Sequence, residues 1–394
     1  MNIIENKKRI AIIGKGTAGS FTVADFTRNT PYEVSWHFDP DIPTQSVGEG
    51  STLYLPHSLT FNLDFKIEDL NKIEGHIKRG VKKLDWNGTG DYMSSFPLDA
   101  AGLHFNAVKL QDYTFNYLKD KIQIISQNTN PSNIDADYII DCSGKPTVYN
   151  EFYEAEYIPL NACHVTTCNW EYPKFDYTLC VARPYGWVFG IPLQSRCSIG
   201  YLYNSNINTL EEVKEDVKNI FQRFNLTPSD KSKNLNFKNY FRKQNFTERI
   251  AYNGNASFFL EPMEASSTGM MYWINEKSKQ IIGDPTQINS INNLYLKENI
   301  DIQRMIILHY LAGSQFKTKF WDFAYTKAKK CFTDSYFIED FKQQYDYTNF
   351  CISNKTYNIP HPELPALGGW VINNYIQNIL GLNLNNKLNK LLNI

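Results

Sequence analysis

The sequence predicts an α/β protein whose first part is a parallel sheet of the Rossmann type. A short apolar run, Ile10–Ile13, leads directly into the glycine-rich run Gly14–Gly19, which reads GKGTAG. Ser20–Thr27 is typical of the start of a helix, and Tyr32–Asp39 follows as a second candidate strand. Strand, glycine loop, helix and strand in this order form a βαβ unit. In that context a Gly-x-Gly-x-x-Gly run indicates dinucleotide binding.

The glycine run has a physical reason at each glycine. Gly14 allows the tight turn from strand to helix, Gly16 allows the cofactor diphosphate to approach the backbone, and Gly19 allows the helix to pack closely on the strand. Backbone N–H groups at the start of the helix then hold the phosphates. An acid about 20 residues further on, which binds the ribose hydroxyls in this motif, is expected at Asp39. The cofactor-binding residues predicted from the run are Gly14, Gly16, Thr17, Ala18 and Gly19.

The rest of the chain divides into a second group of strands and a helical region. Asp137–Gly144 is an apolar strand that ends in a small-residue turn, which a doubly wound sheet places at its cofactor edge. Residues 157–204 consist of short alternating segments typical of a β-meander, and Leu210–Phe224 has the apolar spacing of an amphipathic helix. Because the pattern is largely helical further on, we expect a nucleotide-binding core over residues 1–298, with the meander inserted, and a helical region over 299–394.

The composition excludes several classes of function. Charged residues make up 21% of the 394 residues and the formal net charge is −1, so neither nucleic acid nor a membrane surface is an expected partner. No apolar run reaches the length of about 18 residues that a transmembrane helix needs. The seven cysteines include no Cys-x-x-Cys pair and no zinc-ligand spacing, so we expect no metal site and reduced, mostly buried thiols. With no signal peptide visible in Met1–Arg9, the expected location is cytoplasmic.

A motif further along the chain narrows the dinucleotide prediction. Gly186–Pro192 reads GWVFGIP and resembles the Trp-x-Trp-x-Ile-Pro signature of flavin-dependent halogenases, with Phe189 in place of the second Trp. Other segments match motifs of the same family in the same order. They are Gly14–Gly19, Asp41–Ser51, Ile77–Trp86, Ile140–Gly144 and Ala256–Gly269. Because so many short matches occur in register, the chain resembles the flavin-dependent tryptophan halogenases over most of its length.

The resemblance implies a fold and a reaction. The fold is the FAD-binding Rossmann-type lobe of flavin monooxygenases and halogenases, with an inserted β-sheet and a mainly helical C-terminal lobe on the substrate side. The reaction is halogenation of an electron-rich aromatic compound of the indole, phenol or pyrrole type, and it consumes reduced FAD (FADH2), O2 and a halide ion. A flavin hydroperoxide and hypohalous acid are its implied intermediates. The implied partners are the small aromatic substrate and a separate NAD(P)H-dependent flavin reductase, and a homodimer is one possible assembly.

The catalytic lysine implied by the resemblance is Lys78. Ile77–Trp86 reads IKRGVKKLDW and resembles the family segment Phe-Lys-x-Gly-Ile-x-Phe-x-x-Trp. A positioned lysine can hydrogen-bond hypohalous acid, or take up its halogen as a haloamine, and so deliver the halogen to one carbon. Arg79, Lys82 and Lys83 are expected to be surface charges, although a one-residue shift of the alignment would make Arg79 the candidate.

The carboxylate implied by the resemblance is Glu264, in a turn similar to the family's Pro-Leu-Glu-Ser-Thr turn. A carboxylate near the reacting carbon can orient the oxidant, stabilise the cationic ring intermediate or take its proton. Glu261 is the alternative within the same turn. The halide is expected to bind backbone N–H groups just after Glu264. The residues concerned are Ser266 and Ser267, with Thr268 and Gly269 as further candidates.

The same resemblance implies further contacts with the cofactor. Gly48 and Glu49 belong to a turn that runs along the flavin in the family. Trp187, Ile191 and Pro192 are expected to wall the flavin side of a tunnel. Such a wall keeps the organic substrate away from the hydroperoxide and so suppresses direct oxygenation of the substrate.

Some positions depart from the family pattern. When the chains are aligned on Asp41–Pro43, the ribose-binding Glu of the family falls on Phe38, one residue before Asp39. The family's His-Pro-Phe segment, which forms a wall of the substrate site, corresponds to Ser95–Pro97. Phe96 is therefore the predicted wall residue. These departures affect the prediction of the substrate more than the prediction of the halogenation chemistry.

Two alternative functions stay open from the sequence. A flavin monooxygenase or reductase of the same fold would have no use for Lys78 or for a halide-binding turn. A flavoprotein with a degenerate site is the other alternative, and the changes at Phe189 and Ser20, where the family has tryptophan, favour it. The presence of both Lys78 and Glu264 favours the halogenase.

Overall fold

The computed structural model describes residues 7–43, 49–86, 90–356 and 372–393. The chain forms two compact units, and each combines separate stretches of sequence. The first unit comprises residues 1–76, 102–153 and 240–296, and the second comprises 77–101, 154–239 and 297–394. The predicted boundary at 298/299 lies close to the last of these junctions. The predicted β-meander, however, belongs to the same unit as the C-terminal helices and not to the nucleotide-binding core.

Strands and helices account for most of the described residues. The strands are β1 (Arg9–Ile13), β2 (Glu33–Phe38), β3 (His76–Lys78), β4 (Gly80–Leu84), β5 (Tyr92–Ser95), β6 (Gly102–His104), β7 (Gln123–Ser126), β8 (Tyr138–Asp141), β9 (Phe152–Glu154), β10 (Ala162–Asn169), β11 (Thr178–Arg183), β12 (Gly186–Pro192), β13 (Arg196–Tyr203), β14 (Thr227–Asn236), β15 (Tyr240–Arg242), β16 (Ile250–Tyr252) and β17 (Phe258–Phe259). The helices are α1 (Thr17–Asn29), α2 (Tyr54–Leu63), α3 (Ala107–Leu118), α4 (Leu210–Arg223), α5 (Ser266–Gly283), α6 (Ile288–Ala312), α7 (Lys319–Cys331), α8 (Ser335–Asn354), α9 (Ile372–Gly381) and α10 (Asn385–Leu392).

The first unit contains a five-stranded parallel sheet in the order β7-β2-β1-β8-β16. β1 lies in the middle, and Ile10, Ala11 and Ile12 are fully buried, as in parallel sheets that are covered on both faces. β2 and β7 lie on one side of β1, whereas the later strands β8 and β16 lie on its other side. The carboxyl ends of β1 and β8 therefore flank a topological switch point, where such sheets bind ligands. The Rossmann-type prediction is confirmed, with β2 in the predicted second strand.

The second unit contains a seven-stranded sheet in the order β14-β10-β13-β12-β11-β4-β5. β11, β12 and β13 form a meander, in which β12 pairs antiparallel with both neighbours, and β4 joins β11 in parallel. β10, the first strand of the predicted meander, instead pairs antiparallel with β13, so the prediction holds only for the last three strands. One face of the sheet packs against α4, whose Val213, Val217 and Ile220 are buried at helical spacing. Thr209 and Glu212 form a capping box at the start of α4. The predicted amphipathic helix is therefore confirmed.

The described residues of the C-terminal part are mostly helical, from α6 to α10, as the sequence predicts. All seven cysteine side chains are buried, which agrees with the expectation for the thiols. Within the described ranges, none of the helices combines the length and the apolarity that a membrane span requires.

Candidate functional site

The glycine loop connects β1 to α1 at the carboxyl edge of the parallel sheet. Gly14 has φ 100°, a conformation that favours glycine, and its N–H donates to the carbonyl of His37 at 2.7 Å. A Cβ at Gly14 would lie 2.4 Å from the carbonyl oxygen of Cys142. A Cβ at Gly19 would lie 1.9 Å from the carbonyl oxygen of Gly14. These two glycines therefore allow the tight turn and the close packing of α1 for which the sequence predicts them.

Gly16 is in a different environment, because a Cβ there would meet no atom within 4 Å. Gly16 precedes α1 without a side-chain cap, and the first turn of α1 contains no acid. The first N–H groups of a helix have no partner within the helix, and the positive end of the helix dipole lies there. Open space at Gly16, beside the N–H groups of Thr17 and Ala18, thus fits the diphosphate of FAD.

The end of β2, where the ribose is expected, carries Phe38 and Asp39. Phe38 is buried with its ring 5.9 Å from that of Phe115, and Lys15 Nζ lies 4.6 Å from the Phe115 ring centroid. Asp39 is partly exposed, and its Oδ1 accepts a hydrogen bond from the N–H of Asp41 at 2.9 Å. Of the two aligned positions only Asp39 has a carboxylate, so the prediction of ribose binding stays with Asp39.

Glu49 is buried next to a short ladder of backbone hydrogen bonds. Its carbonyl oxygen accepts from the N–H of Phe105 at 3.0 Å. The N–H of Ser51 donates to the carbonyl of Leu103 at 3.0 Å, and Ser51 Oγ accepts from the N–H of Leu103 at 2.9 Å. These bonds hold the segment of Glu49 in place. Gly48, the other residue predicted in this turn, lies outside the described residues.

Glu264 lies in a turn with an unusual backbone. Its φ is 63° and that of Ala265 is 55°, so two consecutive non-glycine residues occupy the left-handed region. Such conformations cost about 1–3 kcal/mol each and cluster at functional sites. Glu264 is partly exposed, whereas its alternative Glu261 is fully buried. A carboxylate that must meet a substrate is therefore better supplied by Glu264.

The predicted halide-binding residues form the start of α5. Ala265 precedes the helix without a side-chain cap, and the first turn contains no acid. The hydroxyl of Ser266 is buried and has no hydrogen-bond partner among the described residues. Thr268 Oγ1 instead donates to the carbonyl of Ala265 at 3.3 Å, and both Ser267 and Gly269 are partly exposed. A helix start with an available hydroxyl donor fits a halide ion.

In the second unit, Lys78 is the last residue of β3 and is 1% exposed. Its Nζ lies 5.5 Å from the ring centroid of Phe96, so the structure brings the predicted catalytic and wall residues together. Burial of an ammonium group is costly unless the protein compensates it. Arg79 is exposed, and its carbonyl oxygen accepts from the N–H of Phe96 at 2.9 Å. The burial therefore favours Lys78 over Arg79.

The expectation that Lys83 is a surface charge is wrong. Lys83 is fully buried, and its Nζ donates to Asn378 Oδ1 at 2.7 Å and to Ser94 Oγ at 3.4 Å. Its Nζ also lies 5.4 Å from the ring centroid of Tyr92. The alignment with the family could have revealed this burial. Lys83 aligns with the second Phe of the family's lysine segment, which is an apolar position. Lys82, its neighbour on β4, is half-buried.

Residues of β12 alternate between the two faces of the seven-stranded sheet. Trp187 and Ile191 share one face with Phe189, whose ring lies 6.3 Å from that of Trp187. Trp187 is 2% exposed, and its Nε1 has no hydrogen-bond partner in the described part of the chain. Pro192 pairs with Cys197, which belongs to the core on the opposite face, toward α4. By this alternation Pro192 lies on the opposite face from Trp187 and Ile191, so the prediction that all three form one wall is wrong, and the wall stays a prediction for Trp187 and Ile191.

The predicted site residues thus fall into two groups. The glycine loop, Asp39, Glu49, Glu264 and the start of α5 belong to the first unit. Lys78, Phe96 and β12 belong to the second unit. The cooperation of Lys78 with Glu264 stays a prediction.

The sequence matches the family model described as tryptophan halogenase over residues 9–131 and 99–357. It is 22% identical over 275 residues to tryptophan 7-halogenase RebH of Lentzea aerocolonigenes, a match that covers 62% of this chain and 50% of that protein. It is 26% identical over 159 residues to tryptophan 6-halogenase SttH of Streptomyces toxytricini, which covers 39% of this chain and 29% of that protein. These matches span half or less of the length of the two relatives.

Solved structures resemble the fold over nearly the whole chain. The crystal structure of tryptophan 6-halogenase SttH from Streptomyces toxytricini has a TM-score of 0.75 at 16% identity, covering 96% of this chain and 91% of that chain. BrvH, a flavin-dependent halogenase from Brevundimonas sp. BAL3, has a TM-score of 0.74 at 17% identity, covering 96% and 90%. At these identities the likeness shows a shared fold. Because the family model matches most of the chain and the fold agrees, the chain belongs to the tryptophan halogenase family.

Proposed function

We propose that the protein is a flavin-dependent halogenase that attaches a halogen to an electron-rich aromatic compound of the indole, phenol or pyrrole type. The observation that carries this proposal is Lys78. This lysine is 1% exposed, and its Nζ lies beside the ring of Phe96, within a segment that resembles the lysine segment of the family. Lysines are almost never buried without a specific reason. Membership of the family supports the same reaction.

The first unit would hold the cofactor. Bound reduced FAD, together with O2, supplies the oxidising power that converts a halide ion into hypohalous acid. Gly16 and the first N–H groups of α1 would hold the diphosphate, and Asp39 would bind the ribose hydroxyls. The proposed partner is a separate NAD(P)H-dependent flavin reductase, which delivers the reduced flavin.

The halide ion would bind at the start of α5. The positive end of the helix dipole attracts an anion, and the buried hydroxyl of Ser266 donates a hydrogen bond to it. The following backbone N–H groups, up to Gly269, complete the site. A halide held in this way is available for oxidation without a bound metal.

Lys78 would direct the oxidant to one carbon of the substrate. In its charged form Nζ donates a hydrogen bond to hypohalous acid, and in its neutral form it takes up the halogen as a haloamine while water leaves. Glu264 orients the oxidant and accepts the proton that the ring loses on substitution. Trp187 and Ile191 separate the aromatic compound from the flavin and so limit direct oxygenation.

The test is a halogenation assay with the full chain, FAD, a flavin reductase, NADH and O2, and with chloride, bromide or iodide in turn. Panels of indoles, phenols and pyrroles are scanned by mass spectrometry for replacement of hydrogen by halogen. We expect product with the wild type and a loss of about 100-fold or more in Lys78→Ala. Lys82→Ala, which removes the half-buried lysine of the same segment, should keep the activity and serves as the matched control.

FAD binding is measured in each variant by flavin fluorescence, so that loss of the cofactor is not mistaken for loss of chemistry. Undiminished product in Lys78→Ala would contradict the role of Lys78. Oxygenated products without halogenated ones would favour a flavin monooxygenase. Bound FAD with neither product would favour the flavoprotein with a degenerate site.

A further inference from the structure

Helices α1, α2 and α5 of the first unit surround a cavity of about 320 Å³ that has no part in the proposed reaction. Four ring-bearing side chains are among those that line it: Tyr54, His57, Phe61 and Tyr272. Tyr54 and Phe61 are 48% and 53% exposed, and the rings of Tyr54 and Tyr272 lie 4.6 Å apart. The volume is at the lower end of the range for small-molecule sites. The cavity is therefore large enough for a compact organic ligand.

Asp25 lines the cavity and is 4% exposed. Its Oδ1 accepts hydrogen bonds from Asn29 Nδ2 at 2.6 Å and from Lys279 Nζ at 2.8 Å. Its Oδ2 is buried and accepts no hydrogen bond from any described residue. A buried acceptor without a donor costs about 1–3 kcal/mol, and most such groups in folded proteins have a partner. An N–H group of a ligand would supply that partner once the Asp25 carboxylate turns Oδ2 toward the cavity, because the atom is closed off in the structure.

The lining is negatively charged. Lys279 Nζ lies 2.8 Å from Asp25 Oδ1 and 2.6 Å from Glu276 Oε1, so one ammonium group bridges two carboxylates. Burial lowers the pKa of Lys279, but the charges and hydrogen bonds of Asp25 and Glu276 outweigh it and raise the pKa above its ordinary value. Lys279 is therefore protonated at neutral pH. The two carboxylates outnumber the one ammonium group of the lining.

The charge and the rings favour the same kind of ligand. An anion would meet a negatively charged lining in which the ammonium group of Lys279 is already paired twice. Aromatic faces attract cations, which adds to the attraction of the carboxylates. A neutral ligand would leave the excess carboxylate charge uncompensated. A cation with an apolar body satisfies both the carboxylates and the rings.

We propose that this cavity binds a small organic monocation, in which a primary ammonium group is attached to an aromatic or apolar body. The ammonium group pairs with Asp25 and Glu276, and the body packs against the rings of Tyr54 and Phe61. None of the described residues assigned to halogenation lines the cavity. The proposal therefore does not rest on the halogenase activity.

The probe is 2-phenylethylammonium, titrated into the full chain with and without FAD by isothermal calorimetry. 2-Phenylethanol has nearly the same shape and no charge, and we expect it to bind about tenfold more weakly or not at all. Asp25→Asn and Glu276→Gln each remove one negative charge, and each should weaken binding of the cation about tenfold. Glu248→Gln removes an exposed charge of the same unit outside the lining and should leave binding unchanged.

Thermal unfolding is measured for every variant, because Asp25 also holds Asn29 and Lys279. Glu276 is exposed, so Glu276→Gln tests the charge even if Asp25→Asn does not fold. Equal binding of the cation and the alcohol would overturn the proposal. Unchanged binding in Glu276→Gln, or no binding of the cation to the wild type, would also overturn it.

Discussion

Two buried lysines lie five positions apart in the second unit, and their surroundings differ. Lys78 lies beside the ring of Phe96, in the segment expected to carry out the chemistry. Lys83 donates to Asn378 Oδ1, and the hydroxyl of Tyr92 donates to the same oxygen at 3.0 Å. Neutral acceptors thus compensate the buried charge of Lys83 and connect β4 and β5 to α9. We infer that Lys83 serves the fold, because it is fully buried within these contacts.

Substitutions at Lys83 separate the effects of charge and volume. Lys83→Met should change the free energy of unfolding by less than about 1.5 kcal/mol, because methionine fills most of the volume and Tyr92 still donates to Asn378. Lys83→Ala should cost about 2–5 kcal/mol, because it leaves a cavity. Urea denaturation followed by tryptophan fluorescence measures both. An equal loss in the two variants would show that the charge, not the volume, stabilises this contact.

Two helices of the first unit, α1 and α5, differ from α4 and from α3, which Asn106 caps, in how they begin. α1 and α5 begin without a side-chain cap and without an acid in the first turn, whereas α4 begins with the Thr209–Glu212 capping box. Ser, Thr, Asp or Asn caps satisfy the first N–H groups of a helix and stabilise it. Such a cap would occupy the N–H groups that an anion needs. The uncapped starts of α1 and α5 therefore support the proposed diphosphate and halide sites.

Alanine substitutions in the glycine loop distinguish binding from folding. Gly16 has φ −67° and open space around its missing Cβ, so Gly16→Ala should change the stability of the FAD-free protein by less than about 1 kcal/mol. The added methyl group fills space proposed for the diphosphate, and FAD affinity should fall about tenfold or more. Fluorescence titration with FAD and thermal unfolding without it measure the two effects.

Gly14→Ala is the matched control for this loop. Because a Cβ at Gly14 would lie 2.4 Å from the carbonyl oxygen of Cys142 at a positive φ, this variant should destabilise the fold itself. If Gly16→Ala binds FAD as tightly as the wild type, the diphosphate lies elsewhere.

In the second unit as a whole, a buried ion pair links stability to pH. Asp301 and Arg304, one turn apart on α6, are 1% and 2% exposed, and the guanidinium group donates to Asp301 Oδ1. Burial raises the pKa of Asp301 to about 6, although the charge of Arg304 acts against the shift. Because this pKa is higher in the folded protein than in the unfolded chain, folding favours the protonated carboxyl. The stabilising contribution is complete below the ordinary pKa of 3.8 and is lost as the pH rises through about 6.

Asp301→Asn removes this pH dependence. Loss of the ion pair adds a constant destabilisation, but relative to the wild type the variant should gain about 2 kcal/mol between about pH 4.5 and about pH 7.5. Urea denaturation at the two pH values measures the difference. The pKa of Asp284 lies below its ordinary value, so Asp284→Asn should have the same effect at both pH values. A pH-independent effect of Asp301→Asn would contradict the raised pKa.

Patterns between residues close in the chain predicted the fold and much of the candidate site. The turn at Gly14, the packing of Gly19 and the spacing of Val213, Val217 and Ile220 depend on neighbours within a few positions, so they can be read directly. The family motifs added Lys78 and Phe96, which lie side by side in the structure, while their roles stay predictions. Glu264 and the start of α5 also follow from a local turn.

Burial, sheet face and local charge, by contrast, depend on residues that only the folded chain brings together. Lys83 is buried because Asn378, 295 positions away, and a ring on the neighbouring strand surround it. Pro192 is separated from Trp187 and Ile191 because it points to the face of the sheet that α4 covers. The cavity at Asp25 exists only because three helices separated in sequence meet there. No local pattern contains such information, since desolvation and electrostatic pairing are set by the packing of distant segments.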